Sequence, residues 1–179
     1  MRLSPIYILY WYYQVSQFPN QVFSTDRMAY VSIDDPDYQS WTQGGLIADQ
    51  FTTGSELTSL LLSNWLPFYL PRGVEVSSST NPLLSGTYAV QDADTARISS
   101  IATGIASGKG LPGGGYTFWY ADINDQLHSF TQEEFLNFAK SIENWMYNLR
   151  IAIRTISQQN VGSIPVQPVN IDPPISQQG

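Results

Sequence analysis

The sequence predicts an α+β protein: small antiparallel β-hairpins packed on helices, one long C-terminal helix and an extended proline-rich tail. Three observations predict this class. Short segments rich in aromatic and β-branched residues recur between turn-forming residues, as the strands of hairpins do. Two Thr-x-x-Glu patterns, Thr53 with Glu56 and Thr131 with Glu134, mark helix starts. Beyond residue 158 the hydrophobic periodicity ends and prolines accumulate.

The N-terminal region is predicted to hold a pair of strands, residues 6–15 and 28–33, with a turn-rich polar stretch between them. The apolar run of residues 5–13 is short, mostly aromatic and without a small-residue cleavage site, which favours a buried strand over a signal peptide. It is also far shorter than the roughly 20 residues of a membrane helix. The acidic stretch of residues 34–37 then opens a short helix that ends at Gly44.

A second short helix is predicted after the capping-box residue Thr53, and Pro67 and Pro71 are expected to end it. Residues 74–76 and 87–90 alternate as strands and lie on either side of a turn of Ser, Asn and Pro. They are therefore predicted to form a hairpin.

A longer helix is predicted to follow, capped by Asp92 and ended by Gly108 and Gly110. The segments 116–120 and 127–130 are then predicted as a second hairpin, with Asp and Asn residues in its turn. This hairpin leads directly into the longest helix.

The long helix has a well-marked start. Thr131 is a good N-cap, and Glu134 completes a capping box. Phe130 before the cap and Phe135 in the next turn are placed to form a hydrophobic staple.

The apolar residues of this helix recur at alternating spacings of three and four, over three heptads. They are Phe135, Phe138, Ile142, Trp145, Leu149, Ala152 and Ile156. We call them the helix seam. The pattern is typical both of a core-facing helix within one domain and of a homomeric coiled coil. We predict that the chain self-associates through this seam, as a homotrimer.

The composition narrows the function classes. The 179 residues include 15 acidic and 8 basic side chains, giving a net charge of −7, which argues against a nucleic-acid partner. The absence of cysteine removes disulfides, thiolate catalysis and zinc ribbons. Only 13% of residues are charged, and a surface of uncharged polar residues suits an extended assembly.

Motifs for bound ions and phosphates are incomplete. The stretch 107–110 resembles part of a phosphate loop but lacks its first Gly and its final Ser or Thr, so a helix end is predicted. The stretch 122–125 resembles the start of a calcium loop, yet Leu127 stands where the invariant Gly is required, which favours a turn. The carboxylates of residues 34–37 open a helix and need no metal.

Catalysis has little support in the sequence. His128 is the single histidine, and Ser129 beside it in a strand faces the opposite side. Nothing favours a pair of glycosidase carboxylates. We therefore predict no catalytic, cofactor-binding or metal-binding residue and no enzyme activity. The many Tyr and Trp residues either line a sugar-binding surface or fill the core and interfaces.

Four short motifs occur in order over about residues 84–156: a GTY element at 86–88, a PGG element at 112–114, Trp119-x-x-Asp122, and His128-x-Phe130-Thr131. Together they resemble the domain of unknown function DUF4376, found in bacteriophage tail-fibre and tail-associated proteins. Residues 1–83 are similar in style to sequences that precede this domain.

The resemblance implies a virion protein, made in the host cytoplasm, that is a structural subunit of a tail fibre or of the region that attaches one. Its partners would be other tail or baseplate proteins, without nucleic acid or membrane. The alternatives are a fibre-assembly chaperone and a tip module that binds a host-surface glycan. We expect domains at 1–83 and 84–158 and a tail at 159–179. Residues 161–179 are expected to form no strand pairing and to be ordered only in the assembly.

Overall fold

The computed structural model describes residues 10–155, 165 and 167–173. The chain forms two compact units. Unit 1 comprises residues 1–69 and 147–165, and unit 2 comprises residues 70–146 and 166–179. Both contain helices and small sheets, which confirms the α+β class. The domain boundaries expected after residues 83 and 158 do not coincide with this division.

Unit 1 is built on a four-stranded sheet. Its strands are β1 (Tyr12–Val15), β2 (Gln21–Ser24), β3 (Ala29–Ser32) and β4 (Asp49–Phe51). Their order is β3-β2-β1-β4, with β4 parallel to β1 and the other pairs antiparallel. The predicted pairing of the first strand with residues 28–33 is therefore wrong, because β2 lies between them. Its residues Val22 and Phe23 are both fully buried, one on each face of the sheet.

Helix α1 (Pro36–Gln43) lies against one face of this sheet. The carboxylate of Asp35 accepts the backbone N–H groups of Asp37 and Tyr38, and Gly44 ends the helix, as predicted. Its Tyr38 and Trp41 pack on a buried cluster of Tyr12, Val22 and Ala48. The aromatic residues of this region therefore fill the core.

Helix α2 (Gly54–Leu60) begins with the predicted capping box of Thr53 and Glu56. The chain stays helical through a π-helical turn (Leu61–Trp65) and α3 (Leu66–Tyr69). The expectation that Pro67 ends the helix is thus wrong. A proline removes one N–H and crowds the carbonyl four residues earlier, and the wider π turn just before it relieves that conflict.

Unit 2 contains the remaining elements. Its strands are β5 (Val74–Ser77), β6 (Gly86–Tyr88), β7 (Phe118–Ala121), β8 (Leu127–Phe130) and β9 (Val169–Asn170). Helix α4 (Asp92–Ala106) belongs wholly to it, and α5 (Gln132–Thr155) belongs to it as far as Met146. Strands β5–β6 and β7–β8 are the two predicted hairpins. Gln91 rather than Asp92 precedes the first turn of α4, and its N–H donates to the Asp94 carboxylate.

The tail differs from expectation. Strand β9 pairs with β5 in parallel, with Val169 opposite Val76 and Asn170 opposite Ser77. The expectation of no strand pairing is wrong for these residues because the ladder uses only the stretch between Pro168 and Pro173, at the edge of the sheet, where proline is tolerated. The other residues of 161–179 lie outside the described part, apart from Pro165 and residues 167–173.

The core of unit 2 is an aromatic cluster between the second hairpin and the start of α5. Phe130 and Phe135, the predicted staple, have ring centroids 5.5 Å apart. Tyr88 of β6 lies 4.8 Å from Phe138, and Tyr120 lies 5.6 Å from Phe135. Tilted and edge-on ring contacts of this kind add to the free energy gained from burial. The cluster therefore fixes the hairpin on the helix.

Candidate functional site

A buried pair of titratable side chains, Asp122 and His128, stands beside this aromatic cluster. Asp122 follows β7, and His128 lies in β8 opposite Tyr120. Strand alternation turns His128 and Phe130 inward, and the side chains of His128 and Asp122 are only 1% and 4% exposed. Nε2 of His128 lies 3.7 Å from Oδ2 of Asp122. We call these two residues the Asp–His pair.

The ring of His128 is held by the backbone. Its Nδ1 lies 2.6 Å from the carbonyl oxygen of Leu83, which can only accept a hydrogen bond. Nδ1 must therefore carry the proton in the neutral ring, and Nε2 carries the lone pair. Nε2 is buried without a hydrogen-bond partner among the described residues. The Asp–His pair is thus a close approach and not a hydrogen bond.

Asp122 organises the turn between β7 and β8. Its Oδ1 accepts the backbone N–H groups of Asn124 (2.8 Å) and Gln126 (2.9 Å). Burial alone would raise the pKa of this carboxyl, but these two donors, with a smaller contribution from His128, lower the pKa below its ordinary value. In the same turn Ile123 N–H donates to the carbonyl of Thr87, which joins the hairpin to β6. The predicted turn is confirmed.

Gly86 and Tyr88 of β6 complete the surroundings of the pair. A Cβ atom on Gly86 would lie 3.1 Å from Nε2 of His128 and 3.3 Å from Oδ2 of Asp122. The Tyr88 ring lies 5.3 Å from the imidazole, and its hydroxyl donates to the carbonyl of Leu84 at 2.7 Å. Burial raises the pKa of Tyr88 above its ordinary value. A side chain at position 86 would therefore crowd the Asp–His pair.

The geometry gives the Asp–His pair an architectural role. The two side chains are 1% and 4% exposed and are covered by β6, the turn and the Tyr88 ring, so the imidazole offers a substrate almost no accessible surface. Ser129 lies on the opposite face of β8, as its position beside His128 predicts, and cannot be activated by it. The pair joins β6, the Leu83 turn and the second hairpin.

The outer face of the same hairpin forms an open groove. Trp119 is 60% exposed and Leu127 is 59% exposed, and with Leu83 they form its apolar part. The cavity measures about 480 Å³ and is also lined by Asn81, Thr117, Gln126, His128, Ser129, Thr131 and Glu134. We call it the Trp119 groove. Its volume lies within the range of ligand sites, and its lining combines one indole with amides and hydroxyls.

Glu134 fixes the polar wall of the Trp119 groove. Its Oε1 accepts the side-chain amide of Asn81 at 2.8 Å, and its Oε2 accepts the N–H and hydroxyl of Thr131, both at 2.8 Å. Burial raises the pKa of this carboxyl, and the bonds from Asn81 and Thr131 outweigh that effect and lower the pKa. Glu134 is therefore ionised at neutral pH.

A second bonded carboxylate, Asp172, was not identified from sequence. Its oxygens accept the hydroxyls of Ser78 (2.6 Å), Ser79 (2.6 Å) and Thr80 (2.7 Å) and the backbone N–H groups of Ser79 and Thr80. These bonds hold the pKa of Asp172 well below its usual range. The run of hydroxyl residues before Asn81 and Pro82 was visible in the sequence, but a run of that kind predicts only a turn.

The remaining sequence motifs have structural roles. Gly108, with φ of +79°, ends α4, which confirms a helix end in place of a phosphate loop. Asp35 and Asp37 are bonded to Arg27, a partner that the sequence did not indicate. No group of three or more potential metal ligands occurs among the described residues. Within those residues no helix is long and apolar enough to span a membrane.

The helix seam is covered by its own chain. Phe135, Phe138, Ile142 and Trp145 are buried in unit 2, and Leu149 is buried in unit 1. Ile156 lies outside the described residues. Core packing accounts for the apolar pattern of these residues, and self-association as a homotrimer remains a prediction.

Comparisons of the chain with protein-family models, with curated proteins and with solved structures find no match. The resemblance to DUF4376 and the functions it implies therefore stay predictions.

Proposed function

We propose that this chain is a structural subunit of a bacteriophage virion tail, part of a tail fibre or of the region that attaches it. The proposal begins from the resemblance to DUF4376 over residues 84–156. It is supported by what the residues of that resemblance do in this fold. Other tail or baseplate proteins are the proposed partners.

One observation carries the proposal: residues of three of the four motif elements converge on the Asp–His pair. Gly86 of the GTY element leaves room for His128 and Asp122, which belong to two other elements. Tyr88 packs on His128, and Phe130 packs on Tyr88 at 6.2 Å. Residues far apart in sequence thus build one framework. Motif residues that pack together in this way support a structural domain over a catalytic one.

The test is the composition of purified particles. Virions of the phage that encodes this chain are banded on a density gradient, and each protein is quantified by mass spectrometry. A structural subunit is expected in a fixed ratio to a known tail protein in every particle fraction. A protein abundant in the lysate but missing from the particles is instead a fibre-assembly chaperone.

The Trp119 groove favours a second candidate, a tip module that binds a host-surface glycan. A pyranose ring has an apolar C–H face and a rim of hydroxyls, which match the exposed indole of Trp119 and the amides and hydroxyls around it. The one carboxylate in the groove, Glu134, is ionised and disfavours an anionic sugar. The ligand class is therefore a neutral glycan.

This candidate is tested with the isolated full-length protein on an array of neutral bacterial polysaccharides. W119A should lower the affinity for any sugar that binds by at least tenfold. Y147A, which removes another exposed aromatic side chain outside the groove, should leave that affinity unchanged. Binding that both variants retain, or no binding at all, would exclude the groove as a glycan site.

A further inference from the structure

Residues 167–172, here called the C-terminal segment, lie on unit 2 in the manner of a bound extended peptide. Its strand β9 pairs with β5, and Ile171 N–H donates to the carbonyl of Ser77 at 3.1 Å. At the other end, the side chain of Gln167 accepts the N–H of Glu75 at 2.9 Å. The segment is thus bonded to β5 from Glu75 to Ser77, through its backbone and the Gln167 side chain.

Two side chains add specificity. Ile171 is only 3% exposed and belongs to the core of unit 2. Asp172 beside it places its carboxylate among the hydroxyls and N–H groups of residues 78–80, at 2.6–3.3 Å. We call β5 with residues 78–80 the acceptor edge. It accommodates an apolar residue followed directly by a carboxylate.

Main-chain pairing at a sheet edge with pockets for alternate side chains is the way many proteins bind extended peptides. We propose that the acceptor edge is a peptide-binding site and that, in the assembly, it takes the C-terminal segment from a second copy of this chain. This inference rests on the proposed function in one respect, because a virion brings many copies of the chain together.

Exchange between copies conserves the bonds of the C-terminal segment. The bonds described above lie within unit 2, and each copy carries the same segment, so a donated segment makes the same bonds as the chain's own. The eleven residues between Thr155 and Gln167 have a maximum extended length of about 40 Å. Head-to-tail donation forms a ring when the rotation between copies closes, which is one route to the predicted homotrimer.

Two full-length variants test the exchange. D172A has an intact acceptor edge and a defective C-terminal segment. S79A/T80A has a defective acceptor edge and an intact C-terminal segment. Each variant alone should self-associate at least tenfold more weakly than the wild type, because every exchanged contact is then defective. An equimolar mixture should form mixed complexes, seen by native mass spectrometry, since one intact pairing is restored. D26N, which removes an exposed acidic group elsewhere, should behave as the wild type.

Hydrogen exchange at the Ile171 amide provides the second readout. Because a monomer can bind its own segment, this amide should be protected at every concentration if the acceptor edge holds the segment. Protection in a protein that forms no mixed complexes would show that the segment binds only its own chain and would overturn the proposal. An amide unprotected at every concentration would overturn the acceptor edge itself.

The two proposals fail separately. Mixed complexes from a protein that is missing from purified particles would remove the virion role and leave the acceptor edge. Presence in the particles of a protein that stays monomeric at every concentration would keep the virion role and remove the exchange of segments between copies.

Discussion

Nε2 of His128 lies 3.7 Å from Oδ2 of Asp122 inside unit 2, and no hydrogen bond joins them. The other ring nitrogen is bonded to the carbonyl of Leu83, and the other carboxylate oxygen to the turn at Asn124 and Gln126. Each partner is therefore anchored separately. The pair is a junction of three chain segments, and its contribution to the free energy of unfolding can be measured.

The anchoring bond of His128 can be isolated with two substitutions of similar shape. H128N keeps an N–H group close to the position of Nδ1, whereas H128L cannot donate to Leu83. We expect H128L to unfold more easily than H128N by about 1–3 kcal/mol in urea, because it leaves a buried carbonyl unpaired. A variant H128L as stable as H128N would contradict this role of the imidazole.

Two glycine-to-alanine substitutions should change stability in opposite directions. In G86A the new methyl meets His128 and Asp122, both held in place, so we expect a loss of about 1–3 kcal/mol. In G104A, within α4, the new methyl meets nothing within 4 Å, and a gain of about 0.5–1 kcal/mol is expected from helix propensity. Thermal unfolding of both variants checks the sign. A neutral G86A would show that the pair has room to move.

Acid should destabilise the protein through its bonded carboxylates. Folding lowers the pKa of Asp122, Glu134 and Asp172, so their contribution to stability is complete above their ordinary pKa of about 4. It is lost as the pH falls from there through the lower pKa of each folded-state group. Urea titrations at several pH values give the pH dependence of the free energy of unfolding. D122N should make this dependence less steep, whereas D26N should leave it unchanged. An unchanged slope in D122N would contradict the role of its two N–H donors.

The long helix and the second hairpin were predictable because their signals are local and agree with one another. Thr131, Glu134 and the staple of Phe130 and Phe135 fix the start of the helix from residues within one turn. The Asp–His pair was not predictable, since Gly86 and His128 are brought together only by tertiary packing. The sequence offered the GTY and His-x-Phe-Thr elements as separate motifs, without their contact.

The elements of the fold that were predicted wrongly have physical causes of the same kind. Strand β2 is short and stands among polar residues, so only its pairing on both sides shows it as a strand. Pro67 is helical because a π turn precedes it, which no propensity predicts. Strand β9 pairs two residues with a strand more than ninety positions earlier, and its stability comes from Ile171 and Asp172 on the acceptor edge.

The helix seam should behave as core and not as a subunit interface. I142D buries a carboxylate at a position that is 1% exposed, at a cost of several kcal/mol, on the order of the stability of a whole domain. N144D adds the same charge at an exposed position of the same helix and should leave folding intact. Circular dichroism with light scattering distinguishes the outcomes. A folded, monomeric I142D from an oligomeric wild type would place the interface at the seam after all.

The most direct test of the proposed function is the location of the protein on the particle. Gold-labelled antibodies against the full-length chain are applied to intact, gradient-purified virions and viewed by electron microscopy. The account predicts labels at the tail, on a fibre or at its attachment region, in every intact particle. Virions without label or chain, purified from lysates in which the protein is abundant, would contradict it.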